Sequence, residues 1–173
     1  MNIILGAILV AGSGATLTIE PGVGIGHVRI GETPGRLEVV FGKPQQGEAA
    51  SGRIWMSWLG RDGHRLDVYA VRTVDTVEAH TRFVRIDSPQ FSMKNGLRVG
   101  AKLSTFQGKY PQLKLGPSGR VAKAAEVTVW DDAADGFSVE VRNRKVTAIA
   151  VHRTSDPIDG TYFAYLSDPT GSQ

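Results

Sequence analysis

The sequence predicts an α+β fold with two tandem repeats, each a short helical segment packed on an antiparallel β-meander, which together form one curved sheet. A glycine step, a short helix pattern and a Gly/Pro stop span 24–44, and the same succession returns in weaker form over 96–111. A run of strand-like segments follows each copy. The two copies superpose Gly31 on Gly100, Leu37 on Phe106 and Phe41 on Tyr110.

The composition is that of a globular protein without cysteine chemistry. Of the 173 residues, 41% are hydrophobic and 21% charged, and the 21 glycines suit many turns and short strands. The net charge is +3, but no helix or stripe concentrates the Lys and Arg residues, so nucleic acid is not predicted as a partner. The absence of cysteine excludes disulfides, thiolate metal sites and Cys nucleophiles.

Residues 1–15 are predicted as a possible signal peptide. The apolar run over 3–11 is too short to span a bilayer but has the length of a signal-peptide core, and Ser13, Gly14 and Ala15 suit a cleavage site. No Lys or Arg precedes the run, so a buried first strand is the alternative. The signal-peptide interpretation predicts an extracytoplasmic protein, and no integral membrane span is predicted.

The first helix is predicted to begin at Thr33. Its hydroxyl can cap the free amide groups, and Pro34 lies where a missing N–H does no harm. Gly42 and Pro44 then end the helix. One apolar stripe is formed by Leu37, Val40 and Phe41.

Strand patterns fill the rest of both repeats. They are predicted at 53–59, 64–72 and 77–86 in the first repeat, and at 125–130, 136–142 and 145–152 in the second. Residues 45–52 are small and polar and are predicted to be a loop. The predicted organisation is repeat 1 over 16–90, repeat 2 over 91–153 and a C-terminal tail over 154–173.

Each copy consists of an Ile/Val-Gly step, a short helix with Leu and Phe/Tyr on one face, a Gly/Pro stop and a meander. Two such copies in one chain resemble the tandem-repeat beta-lactamase inhibitory protein family. The succession is also similar to the related small outer-membrane lipoproteins of the beta-barrel assembly machinery, which carry one such unit. The resemblance covers 23–153 and implies a curved sheet whose concave face grips another protein. By topology it also implies that Asp62, in the first hairpin turn, projects into the partner; the alternative is a turn-forming Asp before Gly63. The chain lacks the cysteines of both groups, so lipid anchoring is not implied.

Side-chain alternation along the strands defines two faces of the predicted sheet. One face is aliphatic and is expected under the helices, whereas the other combines aromatic and charged residues, as protein-binding surfaces do. The predicted partner-binding residues on this outer face are Trp55, Tyr69, Trp130, Arg53, Arg65 and Arg142. The alternative is that Trp55 and Trp130 fill a second core, covered by loops or by the tail.

Catalytic and metal-binding motifs are scarce. The four histidines are far apart, no Gly-x-Ser-x-Gly elbow is present, and the acidic run 131–136 lacks the alternation and distal Glu of a calcium loop. Asp156 and Asp159 could pair as acid and base, although Asp-Pro and Asp-Gly steps are ordinary in turns. Neither a cofactor nor a metal is predicted.

The sequence therefore predicts a non-enzymatic, inhibitor-like module that binds another protein. A structural or assembly factor of the cell envelope, binding peptide strands or glycan through the same surface, is the alternative. A hydrolase with dispersed carboxylates is the third hypothesis.

Overall fold

The computed structural model describes residues 17–116, 119–121 and 125–159, so the predicted signal peptide lies outside the described residues. Their backbone is mostly β with two short helices, which confirms the α+β class with antiparallel sheets. In chain order the elements are β1 (Thr18–Glu20), β2 (Gly24–Ile25), β3 (Val28–Arg29), α1 (Pro34–Phe41), β4 (Gln46–Ala50), β5 (Arg53–Leu59), β6 (Arg65–Val71), β7 (His80–Ile86), β8 (Ser92–Met93), α2 (Leu103–Lys109), β9 (Lys114–Leu115), β10 (Gly119–Val121), β11 (Ala125–Asp132), β12 (Phe137–Arg142) and β13 (Lys145–His152).

Nine strands form a large antiparallel sheet. Its order is β10-β11-β12-β13-β7-β6-β5-β4, and β9 also pairs with β11. A smaller sheet has the order β3-β2-β1-β8 and is antiparallel except for the β1–β8 pair. The structure thus contains two sheets where one was predicted, because the glycine-rich approach to the first helix forms short strands of its own.

The main core lies on the face of the large sheet that the helices cover. Leu37 and Phe41 from α1 and Phe106 from α2 are buried there, and full burial of such a side chain contributes about 1.5–3 kcal/mol. This packing holds helices of eight and seven residues that would be marginal alone. Thr33 is the N-cap residue of α1, as predicted, but its hydroxyl makes no capping hydrogen bond.

A matching pair of backbone hydrogen bonds joins each helical segment to the large sheet. Gly31 and Gly100 precede the helices with φ of 90° and 92°, a region that favours glycine. Each glycine N–H donates to a strand carbonyl, and the next residue's carbonyl accepts from the same strand residue. The four bonds are Gly31 N–H to Thr81 O (2.8 Å), Thr81 N–H to Glu32 O (2.8 Å), Gly100 N–H to Val146 O (2.8 Å) and Val146 N–H to Ala101 O (2.9 Å).

The two meanders also share an irregularity in strand pairing. The register shifts between Tyr69 and Ala70, where the partner strand has Arg82 as an extra residue. It shifts again between Glu140 and Val141, where the extra residue is Thr147. At the centre of the sheet, β7 and β13 pair about Arg85 and Ala150, and the flanking pairs are Ile86–Ile149 and Val84–Val151.

Residues predicted as a loop form an edge strand. The five residues of β4 are all exposed and pair antiparallel with β5 through a two-residue turn. In this turn Ser51 and Gly52 have φ of 52° and 77°, as a type I′ hairpin requires. The loop prediction over 45–52 is wrong because Gln, Gly, Glu and Ala have weak strand propensity, whereas pairing with β5 satisfies the backbone groups that face β5.

Candidate functional site

The outer face of the large sheet, opposite the helices, carries a second and smaller core. Ring centroids are 6.1 Å apart for Trp55 and Tyr69, 5.8 Å for Trp55 and Phe83, and 4.8 Å for Tyr69 and Phe83. Val129 and Ile158 pack in the same cluster, and Trp55 and Tyr69 are only 6% and 1% exposed. The structure therefore places Trp55 and Tyr69, two of the three predicted partner-binding aromatics, in a buried second core, and for Trp55 this is the alternative drawn from the sequence.

Trp130 lies on the opposite face from Trp55. It is half-buried against the main core, and its neighbour Val129 is the residue that reaches the second core. When the two meanders are aligned at their bulges, Trp130 of β11 corresponds to Met56 of β5. The prediction that the two tryptophans share a face is wrong, because an offset of one residue exchanges the faces of a strand.

A buried ionic network lies beside the second core. Arg85 Nε and Nη2 donate to Glu140 at 2.5 and 2.9 Å, and its Nη1 donates to Asp67 at 2.8 Å. Arg65 Nε donates to Asp67 at 3.0 Å, so this predicted binding residue belongs to the network. Ala150, which pairs with Arg85, is small enough for the guanidinium to cross β13 and reach β12. The network joins the two meanders through charge-assisted hydrogen bonds.

Residues 154–159, the described part of the predicted tail, are bound to the outer face. Arg82 donates to Asp156 at 3.2 and 3.0 Å and to Asp159 at 3.0 Å, and Ile158 enters the second core. The hydrogen bond to Asp156 raises the pKa of Arg82 and partial burial lowers it; with Asp159 the net shift is upward. Both carboxylates thus bind one guanidinium, an arrangement typical of an ion pair and not of an acid–base pair.

His152 is buried between two acceptors near the end of β13. Its Nε2 lies 2.9 Å from Asp131 Oδ1 and its Nδ1 lies 2.9 Å from the Arg153 carbonyl oxygen, so both nitrogens can donate at once only when the ring is an imidazolium. Burial lowers the pKa of His152, but Asp131 and the backbone acceptors outweigh it and raise the pKa above 6.5. Ser138 donates to Asp131 and not to the imidazole, so this is no catalytic triad.

The other predicted binding residues do not come together. Arg53 begins β5 and Arg142 ends β12, and they lie at opposite ends of the strands of the large sheet. Asp62 lies in the β5–β6 turn, where its Oδ1 accepts the His64 N–H at 3.1 Å. This is the local hydrogen bond of a turn-forming aspartate.

An exposed strand edge with an adjoining cavity is the surface feature most suited to a ligand. β4 ends the strand order, and no other strand in the described parts of the chain pairs with it. A cavity of about 320 Å³ opens where β4 ends, beside the β4–β5 turn and the β6–β7 connection. The residues that line it include Ile54, Val77, Ala79, Arg53 and Arg72.

The charge of this cavity is uncompensated. Arg53 and Arg72 are exposed, no carboxylate lines the cavity, and neither side chain makes a hydrogen bond or ion pair with another described residue. A second cavity, of about 330 Å³, is lined by Arg82 and Arg153 together with Asp156, which binds Arg82, so a carboxylate already lies among its cations. The first cavity is therefore the better candidate for an anionic ligand.

The sequence patterns predicted Arg53 as a binding residue but did not indicate β4, Arg72 or Val77. The signal that could have located β4 is the pair Ser51-Gly52 directly before a strong strand pattern, since two residues that tolerate positive φ indicate a tight hairpin. Neither Arg72 nor Val77 follows a motif, because the fold alone brings the β6–β7 connection beside the hairpin.

Neither described helix has the length and apolar character needed to cross a membrane. Within residues 17–116, 119–121 and 125–159, no group of three His, Cys, Asp or Glu side chains is arranged to hold a metal ion.

No protein-family model and no curated protein matches the chain. Among solved structures it is similar to the 1.5 Å crystal structure of an extracellular protein containing a SCP domain from Bacillus anthracis str. Ames. The TM-score is 0.47 and the sequence identity 11%, over 73% of this chain and 44% of that chain. The chain spans less than half the length of that protein, and a likeness this distant assigns neither fold family nor function.

Proposed function

We propose that this protein is a non-enzymatic protein-binding module that takes up an extended segment of its partner alongside β4. The observation that carries the proposal is the open edge, since β4 is exposed along its length, ends the large sheet and leads into the cavity. An edge strand presents backbone donors and acceptors in the spacing that a further strand needs. An added peptide therefore gains main-chain hydrogen bonds, and neighbouring pockets select its side chains.

The composition of β4 favours strand addition. Gly47, Ala49 and Ala50 leave the backbone accessible, and β4 has no Lys or Pro, which edge strands commonly use to prevent pairing. At the other edge of the sheet, the described residues include strands of two and three residues, β9 and β10. A template of five consecutive strand residues is present at β4.

We also propose that residues 16–90 and 91–153 are two copies of one helix-plus-meander unit. Three features support this: the paired hydrogen bonds at Gly31 and Gly100, the bulges that leave out Arg82 and Thr147, and a β7–β13 register symmetric about Arg85. In this arrangement β4 and the β9–β10 pair have corresponding places beside β5 and β11. The duplicated unit supplies a rigid frame, and the binding edge belongs to the first copy.

Partner binding through the outer face is less favoured. Trp55 and Tyr69 are buried members of the cluster that Ile158 completes, and Arg65 is bound to Asp67, so these side chains offer a partner little accessible surface. We therefore place the partner at β4, and we propose an extracytoplasmic location on the basis of the apolar run over 3–11.

Backbone N-methylation tests the strand-addition proposal without altering the protein. The probe is an N-terminally fluorescein-labelled pool of octapeptides of random sequence, titrated with the full chain and followed by fluorescence anisotropy. A matched pool is N-methylated at alternate backbone nitrogens, which removes the donors of one strand edge. We expect the methylated pool to bind at least about tenfold more weakly, since several hydrogen bonds are lost.

Hydrogen exchange locates the contact. The unmodified pool should slow amide exchange in β4 and leave β9 and β10 unchanged. Equal binding of the two pools, or binding of neither, would overturn the proposal; binding of a glycan pool in their place would favour the envelope-factor alternative.

A further inference from the structure

Two arginines converge at the end of β4. Arg53 follows the β4–β5 turn directly, and the Arg72 backbone N–H donates to Gly52 O at 2.7 Å, which holds Arg72 against the same turn. A Cβ built on Gly52 would lie 3.6 Å from Arg72 Cβ and 3.8 Å from its Nε, so the side chain extends over the turn. Both arginines line the cavity, and neither side chain has a partner among the described residues.

Apart from Ser51, the other side chains that line the cavity are apolar. They include Ile54, the buried Ala79 and Val77, which has 94% of its surface exposed. The small side chains of Ala49 and Ala50 line the side nearest β4. The cavity volume of about 320 Å³ lies at the lower end of the range for ligand pockets, which is about 300–1,000 Å³.

We propose that this cavity binds the free C-terminal carboxylate and the last, apolar side chain of the peptide that pairs with β4. This inference rests on the proposed function and specifies its ligand. A peptide parallel to β4 reaches the Ala50 end with its C-terminus, so its carboxylate arrives beside Arg53 and Arg72. An antiparallel peptide would bring its terminal ammonium group to the same cations, which repel it.

The chemistry of the two arginines suits a carboxylate. A guanidinium presents a planar fork of donors that can bind both carboxylate oxygens, and such charge-assisted bonds are about twice as strong as neutral ones. The apolar walls remove the last side chain from water and so favour residues such as Val, Leu or Phe at that position. A peptide terminus offers an extended backbone, an apolar side chain and a carboxylate within one residue. The strand edge, the apolar lining and the arginines of the site are complementary to these three groups.

The test compares three labelled octapeptide pools in the same anisotropy assay. The pools have seven random positions and end in a free Leu carboxylate, in Leu amide, or in Glu amide, whose only added carboxylate is on a side chain. For the wild-type chain we expect the free Leu acid to bind about tenfold or more tightly than either amide, as loss of a charge-assisted contact predicts.

Variants then assign the preference to the two arginines. Arg53→Gln/Arg72→Gln should bind the Leu acid and the Leu amide equally, whereas Arg53→Lys/Arg72→Lys should keep part of the difference. Arg36→Gln/Arg61→Gln, which removes two exposed charges from other surfaces, should leave the difference intact. All four residues are exposed, and equal thermal unfolding temperatures will show that each variant is folded.

The outcomes separate this inference from the proposed function. If the Leu acid and Leu amide pools bind wild type equally and both remain sensitive to N-methylation, strand addition stands and recognition of the terminus is overturned. If the Glu amide binds as well as the Leu acid, the carboxylate is recognised but the terminus is not. Binding of no pool overturns both.

Discussion

The two halves of the large sheet have closely similar backbone pairing and different outer faces. We align the two halves at their bulges and compare the residues on the outer face. The first half has Trp55, Tyr69 and Phe83 where the second has Val129, Glu140 and Ala148. On the helix side both halves are apolar, with Met56, Val68 and Val84 in one and Trp130, Val139 and Ile149 in the other. The residues facing the main core are therefore apolar in both halves, whereas the corresponding outer residues are aromatic in the first half and small, aliphatic or charged in the second.

A serine–aspartate pair shows the same freedom on a smaller scale. Ser57 donates to Asp67 across β5 and β6, and Ser138 donates to Asp131 across β12 and β11. The cross-strand hydrogen bond is kept, but the two residue types have exchanged strands. The fold at this place requires a satisfied buried pair, and either order of the two residues provides it.

The largest expected effect concerns the ionic link between the halves. Arg85→Met removes the cation that binds both buried carboxylates and leaves Asp67 with Arg65, so we expect a loss of about 3–5 kcal/mol in the free energy of unfolding, measured with urea. The control Arg142→Met, at an exposed position, should change stability by less than about 0.5 kcal/mol. Adding Asp67→Asn and Glu140→Gln should recover part of the loss. A cost below about 1 kcal/mol would show that the network does not join the halves.

The second prediction concerns the aromatic cluster. Trp55→Val, which introduces the residue type of Val129, should cost about 2–3 kcal/mol because a buried ring is lost. In a double-mutant cycle, Ile158→Ala should couple to Trp55→Val by about 0.5 kcal/mol or more and should add independently to Trp130→Val. If Trp55→Val left stability unchanged, Trp55 would not be core and the outer face would return as the candidate binding surface.

The third prediction is a pH dependence specific to the second half. The pKa of His152 is raised above its ordinary 6.5, so its contribution to stability is full below pH 6.5 and is lost as pH rises through the folded-state pKa. Urea unfolding across this range should show wild type losing stability relative to His152→Gln. Asp131→Asn should bring the His152 pKa, followed by NMR, back toward 6.5. A folded-state pKa below 6.5 would contradict the assignment of an imidazolium.

The smallest effect is expected at the bulge. Arg82→Gln removes an ion pair whose side chains are 30% exposed or more, so we expect a loss of at most about 1 kcal/mol, reduced further by salt. Hydrogen exchange of residues 154–159 should become faster. Thr147→Ala, at the corresponding bulge, should leave that segment unchanged. Unaltered exchange in Arg82→Gln would mean that Ile158 alone holds the segment.

Several elements could be located from sequence because their signals are local. The strands at 53–59 and 145–152 have the predicted bounds, since alternating apolar residues and flanking turn residues define them. The first helix begins at Thr33 and Pro34 as predicted. β4 was missed because its residues have weak propensity and its conformation depends on pairing with β5. Trp130 was assigned to the wrong face because strand parity is unreliable when one residue of offset exchanges the two faces.

The sequence by itself determined the α+β class, the antiparallel meanders and the two short helices, because periodicity, capping and turn residues act over a few positions. Only the tertiary structure decided that Trp55 and Tyr69 are buried, that Arg85 joins Asp67 to Glu140, and that Arg53 and Arg72 share a cavity at the end of β4. These contacts join residues that are far apart in the chain or depend on the register of neighbouring strands. Burial and ion pairing there follow from how the strands pack together, which no local pattern encodes.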